Sequence, residues 1–276
     1  MRTLLLTGAT SGLGYELVKK CIPLFDRFIL TGRNQEKLQQ VRSELLKLDG
    51  TCEVVLFTVD FSDELGVLNT AKKIQATFPE IDVWINNIGA LHSRHELSGL
   101  MLEKTIAVNY LSHFILMSPF LNSLRPGTQI INIVSSAYKN GKFDFLRRKK
   151  NLYSIRQAYA DSKLALMTYS KYLHDNYPLL VNCFHPGRLH TDIGGKHTGL
   201  LHKTYWNLTK MIAGSAEEYA SFLMNFIQEN FEKQEDGYYW DVYKKVSLEE
   251  IQYPENSEEL LKWSQMQLDK LQSIRI

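Results

Sequence analysis

The sequence has few cysteines, little net charge and no long apolar run, and each shortage removes a class of protein. Cys21, Cys52 and Cys183 stand far apart, with no CxxC pair and no histidine cluster at ligand spacing. Neither a disulfide framework nor a zinc site is indicated, and a reducing, cytoplasmic setting is expected. Lys and Arg number 32 against 30 Asp and Glu, and the formal net charge of +2 leaves no footprint for nucleic acid. No segment approaches the roughly 18 uninterrupted apolar residues of a membrane span. The opening MRTLLLTGATSGLG holds one basic residue and meets glycines after a short apolar run, so no signal peptide is predicted. Asn207-Leu208-Thr209 fits a glycosylation sequon, but such triplets arise by chance and nothing else points to secretion. There is no internal repeat and no low-complexity linker.

What remains is an ordinary globular composition, 44% hydrophobic and 22% charged over 276 residues, which predicts one domain spanning 1–276. Short apolar runs alternate with helix-period segments. Strands are expected at Thr3 to Thr7, Phe28 to Thr31, Val54 to Val59, Val83 to Asn86, Ile130 to Val134 and Leu180 to Phe184. Between them lie helical patterns at Gly12 to Lys20, Gln35 to Leu48, Leu65 to Phe78, Leu102 to Leu124 and Ile155 to Asn176. Strands that are continuously apolar instead of alternating imply a parallel sheet with helices on both faces. Right-handed crossovers then give a doubly wound, Rossmann-type α/β fold. The pattern breaks down over 188–214, read as a segment over the site, and a last helix of imperfect amphipathicity is expected over 257–271.

Directly after the first strand comes TGATSGLG, Thr7 to Gly14, which opens the first helix. Glycines at 8, 12 and 14 let the backbone turn sharply and approach a pyrophosphate, whose charge meets the exposed N–H groups and positive end of the helix. Standing alone, such a turn could serve a strand-to-helix connection with no ligand. Its place between strand and helix is the context a dinucleotide site requires. An acidic residue at the end of the second strand would hold the adenosine ribose and favour NAD. Here that place reads Thr31-Gly32-Arg33-Asn34. With no carboxylate to repel a 2′-phosphate and an arginine able to pair with it, NADP(H) is the expected cofactor, NAD staying possible. A solvated Arg33 is the plain alternative. Asp60, in VDFS at the end of the third strand, either sits near the adenine or caps the next helix.

TGATSGLG, Asn86-Asn87-Ile88-Gly89, Asn109, Ser135-Ser136, Tyr159-x-x-x-Lys163 and Pro186-Gly187 follow one another in an order that resembles the short-chain dehydrogenase/reductase family over nearly the whole chain. Ile88 departs from the alanine usual at its place. The resemblance implies a general acid/base at Tyr159, its activator at Lys163, a substrate-holding hydroxyl at Ser136 and a relay-water anchor at Asn109. Ser135 is the adjacent alternative to Ser136. The resemblance also implies cofactor contacts from Gly8, Thr10, Ser11, Gly12, Leu13 and Gly14. Further contacts are expected from Arg33, Asn34, Asp60, Phe61, Asn87, Ile88, Gly89, Pro186, Gly187 and Thr191, besides Asn109, Tyr159 and Lys163.

The spacing makes chemical sense independently, because residues four apart on a helix share a face. Lys163 and the charge of an oxidised nicotinamide would lower the phenol's ordinary pKa of about 10 toward a useful range. For His185, His190 and His197 loop or structural roles are preferred over acid/base or metal work.

The long connection AYKNGKFDFLRRKKNLYSIRQA, the late GYYW and the terminal LLKWSQMQL resemble the retinol dehydrogenase, WW-domain oxidoreductase and protochlorophyllide reductase branch. Its Arg147-Arg148-Lys149-Lys150 run could attract an anion or simply be solvated. Leu200, Leu201, Tyr205, Trp206 and Met211 either line a pocket for a hydrophobic carbonyl or alcohol substrate or pack their own segment down. Two further classes remain: a catalytically silent NAD(P)-binding regulator, and an interaction subunit. The family implies a homo-oligomer through the helices carrying Asn109 and Tyr159, unless the terminal segment covers that surface.

Overall fold

In the computed structural model, which describes residues 1–146, 153–187, 215–242 and 244–274, the chain folds around one sheet. Its strands are β1 (Thr3–Thr7), β2 (Arg27–Gly32), β3 (Glu53–Thr58), β4 (Val83–Asn86), β5 (Gln129–Ile133), β6 (Leu180–His185), β7 (Tyr238–Asp241) and β8 (Lys244–Ser247), in the order β3-β2-β1-β4-β5-β6-β7-β8. The helices are α1 (Gly12–Lys20), α2 (Gln35–Leu48), α3 (Glu64–Thr77), α4 (Lys104–Ile106), α5 (Ser112–Met117), α6 (Ile155–Asn176), α7 (Ala216–Lys233) and α8 (Ser257–Ser273). The 188–214 segment, with Thr191, His190, His197 and Asn207, and the Arg147–Lys150 run lie outside the described residues.

Three consecutive leucines in β1 show why both faces must be covered. Leu5 enters the core on one face of the sheet, Leu4 and Leu6 the core on the other, and all three are fully buried. Trp84 opposes Val83 and Ile85 in β4 in the same way, and Ile130 opposes Ile131 and Ile133 in β5. At about 1.5–3 kcal/mol for each fully buried large apolar side chain, these strands hold the sheet between two helical layers. α7 packs on α1, while α8 lies against α3 and α6.

The doubly wound architecture is as the sequence implies, with three further elements from the C-terminal part of the chain. Helix α7 and strands β7 and β8 occupy a stretch for which the sequence reading assigned no element, and β8 runs antiparallel to β7 instead of continuing the parallel sheet. The terminal helix buries Leu260, Leu268 and Leu271 together with the polar Ser264 and Gln267, and leaves Met266 55% exposed. Ser264 is drawn in by Tyr110, whose hydroxyl lies 2.7 Å from its Oγ, and Trp263 meets Phe145 edge to face. Among the described residues no helix is long and apolar enough to cross a membrane.

Candidate active site

The strand order reverses direction between β1 and β4, and at such a switch point the loops leaving the two strands part and open a crevice. Gly8 and Gly12 both take left-handed backbone conformations, with φ of 73° and 56°, which side chains of L residues disfavour. Gly14 allows no side chain for another reason. A Cβ there would stand 2.4 Å from the Gly8 carbonyl oxygen and 2.6 Å from Asn87 Nδ2. Asn87 donates from Nδ2 to the Thr7 and Gly8 carbonyls at 2.8 and 3.2 Å, while its own N–H and that of Ile88 donate to Thr7 Oγ1. The two loops are thereby locked together. Ser11 is the N-cap of α1 but its hydroxyl makes no capping bond, so the first-turn N–H groups keep their capacity for an anion. Leu13 buries its side chain in the core, which leaves only its backbone for a ligand.

At the other end of the crevice Arg33 is exposed just past β2. Asn34 follows it, and its Oδ1 caps α2 by accepting the Lys37 N–H at 2.8 Å. The N-cap alternative for Asp60 does not hold, since α3 is capped by Asp63. Asp60 Oδ1 instead accepts from the N–H and hydroxyl of Ser62, each at 2.9 Å. Against the upward push of burial, those bonds and the charges of Arg33 and Lys104 hold its carboxyl below the ordinary range. Phe61 points into the core, 2% exposed, so a ligand meets only its backbone.

The chemical residues gather between β4, β5 and α6. Lys163 is buried and donates to the Ile133 carbonyl at 2.9 Å, and burial lowers its pKa to about 8. Its Nζ lies 5.7 Å from the centre of the Tyr159 ring. A Cβ on Gly89 would fall 3.4 Å from Lys163 Nζ and 3.9 Å from Asn109 Oδ1, so the glycine leaves open the passage these groups share. Asn109 sits in a π-helical turn, Ala107–Leu111, joining α4 to α5. Its side chain grips Ala90, accepting the N–H at 2.7 Å and donating to the carbonyl at 2.9 Å, and also donates to Ser162 Oγ at 3.0 Å.

The surroundings of Tyr159 bear on the choice within the serine pair. Burial raises the Tyr159 phenol above its ordinary pKa, with a hydrogen bond from Ser135 opposing the rise. The Lys163 ammonium is turned to the Ile133 carbonyl, and the lowering expected of it together with an oxidised nicotinamide is a property of the cofactor complex. The serine that meets Tyr159 is Ser135, whereas Ser136 opens the short 3-10 turn Ser136–Asn140. Pro186 and Gly187 follow β6, with Gly187 left-handed at φ 72°. His185 Nε2 lies 4.0 Å from Asp241 Oδ1.

Sequence reasoning missed Thr7, Ser162 and His113. The fully buried His113 places Nε2 3.2 Å from the Ile88 carbonyl, and burial lowers its pKa to about 3, keeping the ring neutral. Its position four residues after Asn109, and that of Ser162 beside Lys163, were the available signals.

Residues 2–199 match the family model described as short chain dehydrogenase. A candidate daunorubicin C-13 ketoreductase of Streptomyces sp. (strain C5) is 30% identical over 78% of this chain and 75% of its own length. Human retinol dehydrogenase 13 is 28% identical over 75% of this chain, a match spanning 65% of the human protein. Among solved structures, a candidate short chain dehydrogenase from Shigella flexneri complexed with NADP superposes with a TM-score of 0.68 at 22% identity, over 88% of this chain and 97% of that one. An alcohol dehydrogenase from Thermococcus sibiricus complexed with 5-hydroxy-NADP gives 0.67 at 21% identity, over 90% and 99%.

Proposed function

Because the chain belongs to the short chain dehydrogenase family of oxidoreductases, we propose that it interconverts a small apolar carbonyl compound and its alcohol with NADP(H), using Tyr159 as proton donor and acceptor. The observation carrying this reading is the meeting of a buried Lys163, Tyr159 and Asn109 beside the gap at Gly89, at the mouth of the glycine loop. The loop fits a dinucleotide. Its uncapped helix end suits a pyrophosphate, the absent side chain at Gly14 lets the loop close on Asn87, and the exposed Arg33 offers a guanidinium to a 2′-phosphate.

The bound cofactor supplies or accepts the hydride. Tyr159 gives the proton to the developing alkoxide, or removes it in the oxidising direction, and Lys163 favours the phenolate and would hold the nicotinamide ribose. A hydroxyl of the Ser135-Ser136 pair donates to the substrate oxygen. Asn109 fixes Ala90 and so the wall opposite Lys163. A silent cofactor-binding regulator would have no need of this assembled proton chemistry. The retinol dehydrogenase and ketoreductase names of the relatives agree with an alcohol and carbonyl pair as substrates.

The test is a panel of aldehydes, ketones and alcohols with each cofactor, followed by nicotinamide absorbance. Tyr159→Phe should retain cofactor affinity within about two-fold and lose 10²-fold or more of turnover, in line with general acid–base contributions of about 10²–10⁴. Undiminished turnover in that variant would remove Tyr159 from the chemistry.

A further inference from the structure

Asp161 lies between Tyr159 and Lys163 on α6, is fully buried, and has no part in the proton chemistry. Its Oδ1 accepts two hydrogen bonds, from the Lys142 N–H at 2.8 Å and from Gln157 Nε2 at 2.6 Å. Gln157, one turn earlier on α6, also donates from Nε2 to the Asn140 carbonyl at 2.9 Å. Gly141 stands between these two anchors, and a Cβ on it would fall 2.6 Å from both the Ala160 carbonyl oxygen and Leu164 Cβ. Asn140, Gly141 and Lys142 are therefore seated in succession on the helix that carries Tyr159 and Lys163.

The seated segment ends the 3-10 turn Ser136–Asn140, which the Gly141 N–H closes by donating to the Tyr138 carbonyl at 2.9 Å. Ser135 caps the near end of that turn by accepting the Ala137 N–H, and its hydroxyl is the one that meets Tyr159. The turn is thus held to α6 at its far end by Gln157 and Asp161 and at its near end by the serine–tyrosine contact. A buried carboxyl is costly unless donors satisfy it, and two donors that satisfy this one are the backbone leaving the turn and the side chain that anchors the same turn. We propose that Asp161, together with Gln157, is a positioning residue that sets the approach of the Ser135 hydroxyl to Tyr159 and so the geometry in which the substrate oxygen is held. The assignment rests on the proposed oxidoreductase reaction. The loop suited to the pyrophosphate is built separately, from Gly8, Gly14 and Asn87, so the clamp governs turnover and leaves the hold on the cofactor alone.

Asp161→Ala and Gln157→Ala in the full chain, each alone and combined with Ser135→Ala, test this. A misplacement of about 1 Å costs roughly 10²-fold, so Asp161→Ala should lose about that much kcat while NADPH affinity in fluorescence titrations stays within about two-fold. Gln157→Ala, which keeps the carboxyl and removes the second anchor, should lose about five-fold. Its side chain is only half-buried, so it carries the test should alanine at 161 fail to fold. Asp161→Asn keeps an acceptor oxygen for the Lys142 N–H and should restore kcat to within about five-fold of the wild type. Because the clamp acts through Ser135, neither alanine variant should reduce kcat further once Ser135 is already alanine. A readout without turnover is the Cζ NMR signal of Tyr159 in protein carrying isotope-labelled tyrosine, identified by its absence in Tyr159→Phe. It should move in Asp161→Ala as it does in Ser135→Ala, and stay near its wild-type position in Asp161→Asn. That pattern in a protein without turnover would remove the oxidoreductase reading and uphold the clamp. An unmoved Tyr159 signal in Asp161→Ala, an equal loss of kcat with and without the Ser135 hydroxyl, or a parallel loss of NADPH affinity would each overturn the proposal.

Discussion

Replacing Lys163 by methionine should make the protein more stable and inactive at once. The buried ammonium has a pKa of about 8. In the unfolded chain the value is about 10.4, so keeping the group charged inside the folded protein at pH 7 costs about 3 kcal/mol. Methionine fills a similar volume and removes that cost, while losing the 2.9 Å bond to the Ile133 carbonyl, worth about 1 kcal/mol. The balance is about 2 kcal/mol in favour of the variant, or roughly 4 °C in Tm for a chain of this size.

The sign of the pH dependence separates this from a general packing gain. Between pH 8 and about 10.4 the unfolded wild type binds more protons at this lysine than the folded one, so wild-type stability rises with pH across that window. Below pH 8 both states are protonated and the penalty is fully present. The methionine variant has no such group. Its advantage should therefore be constant from pH 6 to about 8, shrink through the window and vanish or reverse near pH 10.4. Circular dichroism melts at half-unit steps would follow it. A variant that melts at or below the wild type at pH 7, or an advantage unchanged to pH 10.4, refutes the argument. Confirmation together with lost turnover would show a residue kept for chemistry at the expense of stability.

Arg33→Ala should weaken NADPH by about ten- to a hundred-fold, as expected for a lost charge-assisted bond, and change NADH less than two-fold in fluorescence titrations. Equal losses for both cofactors would remove Arg33 from 2′-phosphate recognition. Ser135→Ala should reduce kcat by about 10²-fold and more than Ser136→Ala, because Ser135 is the hydroxyl that meets Tyr159. The reverse ranking would return the role to Ser136. Sedimentation at micromolar concentration should find a monomer, since α8 covers part of the α3 and α6 surface and pairs Ser264 with Tyr110. A stable dimer would show that association uses another face.

The parts of the molecule that were legible in the sequence are those whose position follows from local backbone chemistry. Continuous Val/Ile/Leu runs located β1 to β6 within about a residue, because strands buried on both faces tolerate little else. Gly8 and Gly12 reported left-handed turns, and the spacing of Tyr159 and Lys163 reported a shared helical face. Roles set by a distant partner were not legible. Nothing at Asn34 itself says that its oxygen caps α2 by taking the Lys37 N–H, and nothing in Ser135-Ser136 says which hydroxyl the following turn aims at Tyr159.

The terminal helix shows the physical cause most directly. By hydropathy Met266 belongs inside and Ser264 outside, yet Met266 is 55% exposed and Ser264 fully buried. A tyrosine hydroxyl buried at Tyr110 must be paired or cost about 1–3 kcal/mol, and Ser264 is the residue on the covering helix that pairs it. That demand is comparable with the gain from burying a methionine, so it is large enough to decide which stripe of α8 faces inward. The same competition between a hydroxyl's need for a partner and local pattern left the serine assignment open at the active site.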